Sequence, residues 1–248
     1  MEGSSLTPLF SRPRLKALEA HRGKGWTRRA DLFLVALAVV GLGLNELAER
    51  TRELKPQPYL DQKMAAASRT LRCFELIREQ RLGTPASLDR ENDPEASGLI
   101  GQEQTLTTTD RGVLEAKLTS VNPNFAAVFV DYLHRLRLKP GDAVAVSLTG
   151  SFPALNIALL AAMDELQLKA IPITSVGASM WGANDPAFTW LDMERMLHER
   201  QVLSTRSIAA SLGGSNDRGR GLSPKGRALL RDAIARAGIT PISEPTLE

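Results

Sequence analysis

The chain has 248 residues and a net charge of +3, with 43% hydrophobic and 24% charged residues. This composition is typical of a folded globular protein and excludes a largely disordered chain. The positive charge is concentrated in residues 1–31, which hold seven Lys and Arg against three acidic residues, whereas residues 32–248 hold 24 basic and 25 acidic residues. A basic groove is therefore not expected, and we predict no nucleic acid partner.

Residues 32–44 (LFLVALAVVGLGL) contain no polar side chain. An uninterrupted apolar helix needs lipid or a protein core, so we predict a transmembrane signal anchor over residues 32–48, after a basic tail at 1–31. Thirteen helical residues span only about 20 Å of a hydrocarbon layer of roughly 30 Å. Trp26 at the headgroup level and Leu47 at the opposite end can make up the difference.

The charges on either side of this segment predict its orientation. Seven basic residues precede it, whereas those that follow closely are interleaved with Glu46, Glu49 and Glu53. The positive-inside rule then places the tail in the cytoplasm and the C-terminal domain outside a single-pass cell membrane protein. A cleaved signal peptide and a buried core helix are the alternatives. Gly41-Leu42-Gly43 is a poor cleavage site because it lies inside the apolar run.

Helical patterns dominate the next part of the chain. Two prolines in residues 49–60 indicate a linker, and residues 61–139 are predicted as a helical segment with a long loop. Its elements are a helix over 61–82, a loop over 83–109, a short helix from Thr109 or Asp110 to Ser120, and a helix from Asn122 to about Leu138.

From residue 140 onward, strand and helix patterns alternate. The predicted strands are Asp142–Leu148, Lys169–Val176, Arg206–Leu212 and Ile239–Ile242, and the predicted helices are Pro153–Leu166, Pro186–Gln201 and Ser223–Ala237. Repeated β-α units with short connections imply parallel strands. We therefore predict an α/β fold with a doubly wound, mostly parallel sheet at 140–248, packed with 61–139 as one unit.

Small polar residues follow three of these strands. In a parallel sheet, ligands bind beyond the carboxyl ends of the strands, where helix N-termini favour anions. Although each loop alone is also typical of a simple turn, together they predict a site for a carboxylate, a phosphate or a sugar. The predicted ligand-binding residues are Thr149, Gly150, Ser151, Ser175, Gly177, Ser179, Trp181, Asn184, Gly213, Gly214 and Ser215.

Motifs for catalysis and cofactors are weak. No GxxxxGK[ST] or GxGxxG pattern occurs, and the single cysteine, Cys73, excludes a Cys-rich zinc site, so neither a cofactor nor a metal is expected. Ser151 does not fit the GxSxG nucleophile pattern, and the three histidines fall in the tail or in predicted helices. Ser151 and Asp217 remain candidate catalytic residues, but a non-enzymatic role is favoured.

Several longer motifs carry a family resemblance: GLIG at 98–101, TTTDRG at 107–112, NPNF at 122–125, SLTGSFPALN at 147–156 and TSVGASMWGAN at 174–184. With these motifs the chain resembles the poly-γ-glutamate system protein family, whose members are membrane-anchored accessory proteins of bacterial poly-γ-glutamate synthesis and export. The resemblance covers most of the chain after the apolar segment, and it transfers no site residue.

The resemblance implies an accessory subunit of a capsule or export system. Its expected partners are the membrane, other subunits of the poly-γ-glutamate machinery and the anionic polymer. Because the predicted outer domain has no net positive charge, a single local site or a protein partner fits better than a long polyanion track. The alternatives are an extracytoplasmic hydrolase or transferase acting on the polymer and, if residues 32–44 lie in a core, a cytoplasmic sugar-phosphate-binding domain.

Overall fold

The computed structural model describes residues 24–52, 55–83 and 89–242. Most of the predicted tail and part of the predicted long loop lie outside these ranges. The chain divides into two units, Met1–Pro56 and Gln57–Glu248. The helices in the described ranges are α1 Lys24–Arg50, α2 Leu60–Leu82, α3 Leu114–Ser120, α4 Phe125–Arg135, α5 Pro153–Glu165, α6 Trp190–Glu199 and α7 Pro224–Ala237. The strands are β1 Ala143–Thr149, β2 Lys169–Ser175, β3 Ala209–Ser211 and β4 Thr240–Pro241.

Helix α1 in the first unit is long and apolar enough to span a membrane. The segment Arg29–Arg50 has 22 residues and a mean hydropathy of 1.8, and none of its apolar window is buried. At 1.5 Å per residue it measures about 33 Å, which matches the hydrocarbon layer. The helix therefore extends the predicted apolar run at both ends. Its complete exposure disfavours the alternative of a buried core helix.

A four-stranded parallel sheet forms the second unit's framework and confirms the predicted α/β class. The strands lie side by side in chain order, β1-β2-β3-β4. A doubly wound sheet reverses its strand order once, at a switch point. No reversal occurs among the described strands, so the doubly wound arrangement is not confirmed.

The two long strands of this sheet have one buried and one exposed face. Val146 and Leu148 of β1 face the core, beside Pro172 and Thr174 of β2. The alternate positions are exposed, among them Ala143, Ala145, Ile171 at 40% and Ile173 at 43%. Parallel sheets normally bury both faces. Along β1 and β2 only one face is buried, whereas all three residues of β3 are buried.

Helix α5 lies at the centre of the core, in contact with β1 and β2 as well as with α2 and α4. Nine of its 13 residues are buried, as expected of a helix that is apolar on all sides. Pro153 starts it at a position where the missing N–H costs no hydrogen bond. This packing joins the helical segment to the sheet within one unit.

Three helices begin later than their sequence patterns predict. Helix α4 starts at Phe125 and not at Asn122, because residues 122–125 form a turn in which the Phe125 N–H donates to the Asn122 carbonyl at 3.1 Å. Helix α3 starts at Leu114 and not near Thr109, because the backbone N–H of Thr109 donates to the carbonyl of Ala178 at 2.9 Å. Helix α6 starts at Trp190 and not at Pro186, because Thr189 and Asp192 form a reciprocal capping box. The predicted loop stays irregular over 89–109 apart from an isolated bridge at Thr108.

A buried carboxyl group lies between α6 and the sheet. Glu194 is 0% exposed, and its two oxygens accept hydrogen bonds from the backbone N–H and the hydroxyl of Ser207, both at 2.9 Å. Burial raises the pKa of Glu194 from its ordinary value of 4.5 to about 7, although the Ser207 hydrogen bonds oppose the rise. Between these values the folded protein holds a proton that the unfolded chain has lost, so stability falls as pH rises from 4.5 through 7.

We expect Glu194→Gln to remove this loss, because an amide does not ionise. The free energy of unfolding of the variant should exceed that of the wild type by about 3 kcal/mol at pH 8 and should match it near pH 4. Urea unfolding of the full chain in detergent at both pH values measures the difference. Glu199→Gln, at an exposed position on the same helix, is the matched control. An equal difference at both pH values would contradict the prediction.

Candidate functional site

A polar cavity of about 740 Å³ opens at the carboxyl ends of β1, β2 and β3. Seven hydroxyl side chains line it, with four charged residues, two glycines and a single apolar side chain. Its lining is Thr109, Asp110, Arg111, Ser147, Leu148, Thr149, Ser151, Ser175, Gly177, Ser179, Gly214, Ser215, Asp217 and Arg220. A wall of this composition suits a small polar or charged ligand and does not suit an apolar one.

The structure brings most of the predicted site residues together. Those lining the cavity are Thr149, Ser151, Ser175, Gly177, Ser179, Gly214, Ser215 and Asp217. Four others do not line it: Gly150, Trp181, Asn184 and Gly213. The three loops that follow the strands therefore form one site, although each could have been a separate turn.

Asn184 has a structural place behind the cavity and is 0% exposed. Its amide group accepts from the backbone N–H of Gln102 at 3.0 Å and donates to the Gln102 carbonyl at 2.7 Å. The amide also donates to the Thr108 hydroxyl at 3.0 Å. The Asn184 carbonyl in turn accepts from the hydroxyls of Thr105 and Thr107. This residue therefore fixes the loop at 99–109 and does not face a ligand.

Three glycines allow the cavity wall to pack backbone against backbone. A Cβ on Gly150 would lie 2.5 Å from the Val176 carbonyl oxygen, and one on Gly182 would lie 2.8 Å from the Gly150 carbonyl oxygen. A Cβ on Gly101 would overlap the Gly182 carbonyl oxygen. No side chain fits at these contacts, so Gly150 has a packing role in the wall.

Lys117 of α3 lies directly beneath the cavity and is only 2% exposed. Its ammonium nitrogen donates to the hydroxyl of Ser179 at 2.8 Å and to the backbone carbonyl of Ser151. It also lies 3.7 Å from the ring centroid of Phe152. No carboxylate of the described residues lies within ion-pair distance of it. Burial lowers the pKa of Lys117 from 10.5 to about 8, because the charged form is desolvated.

Neither histidine in the described part of the chain, His134 or His198, lies beside the candidate catalytic residues predicted from the sequence. The Ser151 hydroxyl accepts from the backbone N–H of Ser179 at 3.0 Å, and Asp217 accepts from the Ser175 hydroxyl at 2.8 Å. His134 contacts Gln62 on α2, and His198 contacts the carbonyl of Leu203. The described residues therefore form no Ser-His-Asp triad at the cavity.

Opposite charges line the cavity in equal number. Arg111 and Arg220 supply two guanidinium groups, and Asp110 and Asp217 supply two carboxylates. Guanidinium groups match carboxylates in two-point hydrogen bonding, and carboxylates accept hydrogen bonds from amines or amides. An amino-acid-like group, with an acid and an amide or amine, fits this pattern better than a bare polyanion.

Sequence reasoning missed Lys117, Arg111 and Arg220. A lysine within a short helix is typical of a solvated surface, and no neighbouring pattern distinguishes Lys117 from such a residue. Arg111 follows the threonine run that the sequence pattern assigned to a helix cap. Arg111 reaches the cavity because the threonine run pairs with the loop after β2, through a bridge between Thr108 and Ala178.

Besides the polar cavity, a metal-binding group or a second cavity could hold a ligand. The described residues include no group of three His, Cys, Asp or Glu side chains that could hold a metal ion. A second cavity of about 690 Å³ lies beside α7 and has a mainly apolar wall that ends at Ile242, the last described residue. The polar cavity is the better candidate, because it lies at the carboxyl ends of parallel strands, where such sheets bind ligands.

Comparisons of the chain with protein-family models, with curated proteins and with solved structures found no match. The site's function must therefore be argued from its geometry and from the motif resemblance.

We expect Asn184→Ala to destabilise the protein by about 3 kcal/mol, because it leaves buried polar groups of Gln102 and Thr108 without partners. Urea unfolding of the full chain in detergent measures the loss. Asn124→Ala, at an exposed position, should change stability by less than about 0.5 kcal/mol. A loss below about 1 kcal/mol for Asn184→Ala would show that the loop is fixed by other contacts.

Proposed function

We propose that this chain is a membrane-anchored accessory subunit of a bacterial poly-γ-glutamate synthesis and export system, and that its polar cavity binds a γ-glutamyl segment. The observation that carries the binding role is the cavity itself. Three strand-end loops, two arginines and two aspartates line one space at the carboxyl edge of the sheet. The pathway rests on the motif resemblance.

The chemistry of a γ-glutamyl unit matches the lining of the cavity. Each unit carries one α-carboxylate and one amide, which pair with guanidinium groups and with carboxylate or hydroxyl oxygens. The N-terminus of α5 begins at Pro153, beside Ser151, and adds a partial positive charge that favours a carboxylate. A balanced set of charges selects a short segment and does not attract a long polyanion.

The proposed location follows from α1 and from the charges around it. The basic residues before the apolar run of α1 favour a cytoplasmic tail, and the second unit would then lie outside the cytoplasm. A polymer assembled at the membrane and exported would meet the cavity on that side. Alternatively, the domain binds another subunit of the machinery and not the polymer. The uncovered sheet face, with Ile171 and Ile173, supports a protein contact of this kind.

A hydrolase or transferase acting on the same polymer is the second candidate. The contact between Lys117 and the Ser179 hydroxyl favours it, because it pairs a buried amine with a hydroxyl at the cavity.

We expect a reporter that is active only outside the cytoplasm to be active when fused after Glu248. The active reporter should be found in the membrane fraction, because α1 would remain uncleaved as an anchor. The same reporter fused after Ala30 serves as the cytoplasmic control. An active reporter in the soluble fraction would indicate a cleaved signal, and an inactive one would place the domain in the cytoplasm.

We expect a γ-linked glutamate trimer to bind the full chain in detergent more tightly than the α-linked trimer of equal charge. Arg111→Ala and Arg220→Ala should each weaken binding by about 10-fold or more, since a hydrogen bond to a charged group is lost. Isothermal titration calorimetry measures both effects.

Arg90→Ala is the matched control, because Arg90 is exposed and does not line the cavity. Equal affinity for the two trimers, or equal losses for all three arginine variants, would reject the γ-glutamyl site in favour of nonspecific charge attraction.

A further inference from the structure

Lys117 is buried and contacts the hydroxyl of Ser179, unlike an ordinary surface lysine, which extends into solvent. The Lys117 nitrogen lies 2.8 Å from the Ser179 hydroxyl oxygen. Ser179 lines the polar cavity, whereas Lys117 is shielded from solvent beneath it. The chain therefore places a nucleophile on the ligand's side and an amine directly behind it.

A buried lysine is normally paired with a carboxylate. Lys63 follows this rule, with Asp131 at 3.1 Å, whereas the Lys117 ammonium donates to the Ser179 hydroxyl and to the Ser151 carbonyl. Without a counter-ion, such a lysine loses its proton more readily than a paired one. The neutral amine can then accept a proton.

We propose that Ser179 and Lys117 form a serine–lysine catalytic dyad for acyl transfer, acting on a γ-glutamyl amide bound in the polar cavity. The substrate class rests on the proposed function, whereas the dyad rests on the geometry of these two residues. Both residues were absent from the catalytic candidates in the sequence, which were Ser151 and Asp217.

The reaction balances with these two groups and water. Neutral Lys117 takes the hydroxyl proton as the Ser179 oxygen attacks the carbonyl carbon of the amide. Collapse of the tetrahedral intermediate breaks the C–N bond, and the Lys117 ammonium gives its proton to the leaving amine. Water, or the amine of another chain, then attacks the resulting ester while Lys117 takes its proton and returns it to the Ser179 oxygen. The products are an acid and an amine, or a new amide.

The surroundings of the pair support this chemistry. With a pKa near 8, about a tenth of Lys117 is neutral at pH 7, and the neutral fraction rises steeply above it. The backbone N–H of Ser179 donates to the Ser151 hydroxyl, which fixes the backbone of the nucleophile. Ser151 thus acts as a positioning residue.

The test is covalent labelling of the full chain in detergent with a fluorophosphonate, which reacts with activated serine hydroxyls. We expect one adduct per chain, located at Ser179 by peptide mass spectrometry. Its rate should rise with pH to a plateau with a midpoint near 8, set by Lys117. Ser179→Ala should abolish the adduct. Lys117→Arg keeps a cation but supplies no base, so it should slow labelling by about 100-fold or more.

Ser68→Ala and Lys225→Arg, both at exposed positions, are the matched controls and should label at the wild-type rate. Thermal unfolding checks that each variant is folded. If Lys117→Arg does not fold, the pH dependence of wild-type labelling tests the role of Lys117, with an expected midpoint near 8. No adduct at Ser179, or a rate that does not change between pH 6 and 9, would overturn the dyad.

Protection by the γ-linked trimer separates the dyad from the proposed function. Slower labelling in its presence supports both. Labelling that the trimer does not slow supports the dyad and overturns the γ-glutamyl site. Trimer binding without labelling supports the γ-glutamyl site and overturns the dyad.

Discussion

The buried amide of Asn184 holds two loops together, and the carboxyl edge of the sheet depends on this contact. One loop follows β2 and the other precedes α3, so the residues they carry to the cavity come from distant parts of the chain. A side-chain amide can satisfy a backbone N–H and a backbone carbonyl at once, as a strand neighbour would. Asn184 therefore reinforces the backbone pairing of the two loops, in which the Thr109 N–H donates to the Ala178 carbonyl. Together these contacts place Thr109, Asp110 and Arg111 at the cavity.

The same contact explains the unusual position of Lys117. The segment that Asn184 fixes leads directly into α3, and this short helix carries Lys117 beneath the loop that contains Ser179. A desolvated cation is costly to a fold, and no carboxylate in the described part of the chain offsets the cost for Lys117. Folds retain such groups most often where an altered pKa is useful. Lys117 thus differs from Glu194, whose raised pKa occurs away from the cavity and inside a packed interface.

Most of the fold could be predicted from local patterns, whereas the site could be predicted only in part. From residue 140 onward, β1, β2, α5 and α7 lie where periodicity and caps predict them, and Ser223 caps α7 as its position suggests. By contrast, β3 has three residues where the pattern predicted seven, because only Ala209–Ser211 pair with a neighbouring strand. Strand ends mark where a parallel sheet binds ligands, which is why Ser151, Ser175 and Ser215 were found. Lys117 and the role of Asn184 could not be found, because each depends on contacts between segments more than 30 residues apart. Neither residue type signals such contacts by itself.

The glycine contacts in the cavity wall limit how this site can change by mutation. At Gly101, Gly150 and Gly182 the backbone of one loop touches the backbone of another, so no substitution there can be absorbed by a moving side chain. The hydroxyl residues that face the cavity have no such restriction. A lineage carrying this fold could therefore acquire new ligand preferences by exchanging residues such as Thr109, Ser147 or Ser215, while the outline of the cavity is inherited unchanged.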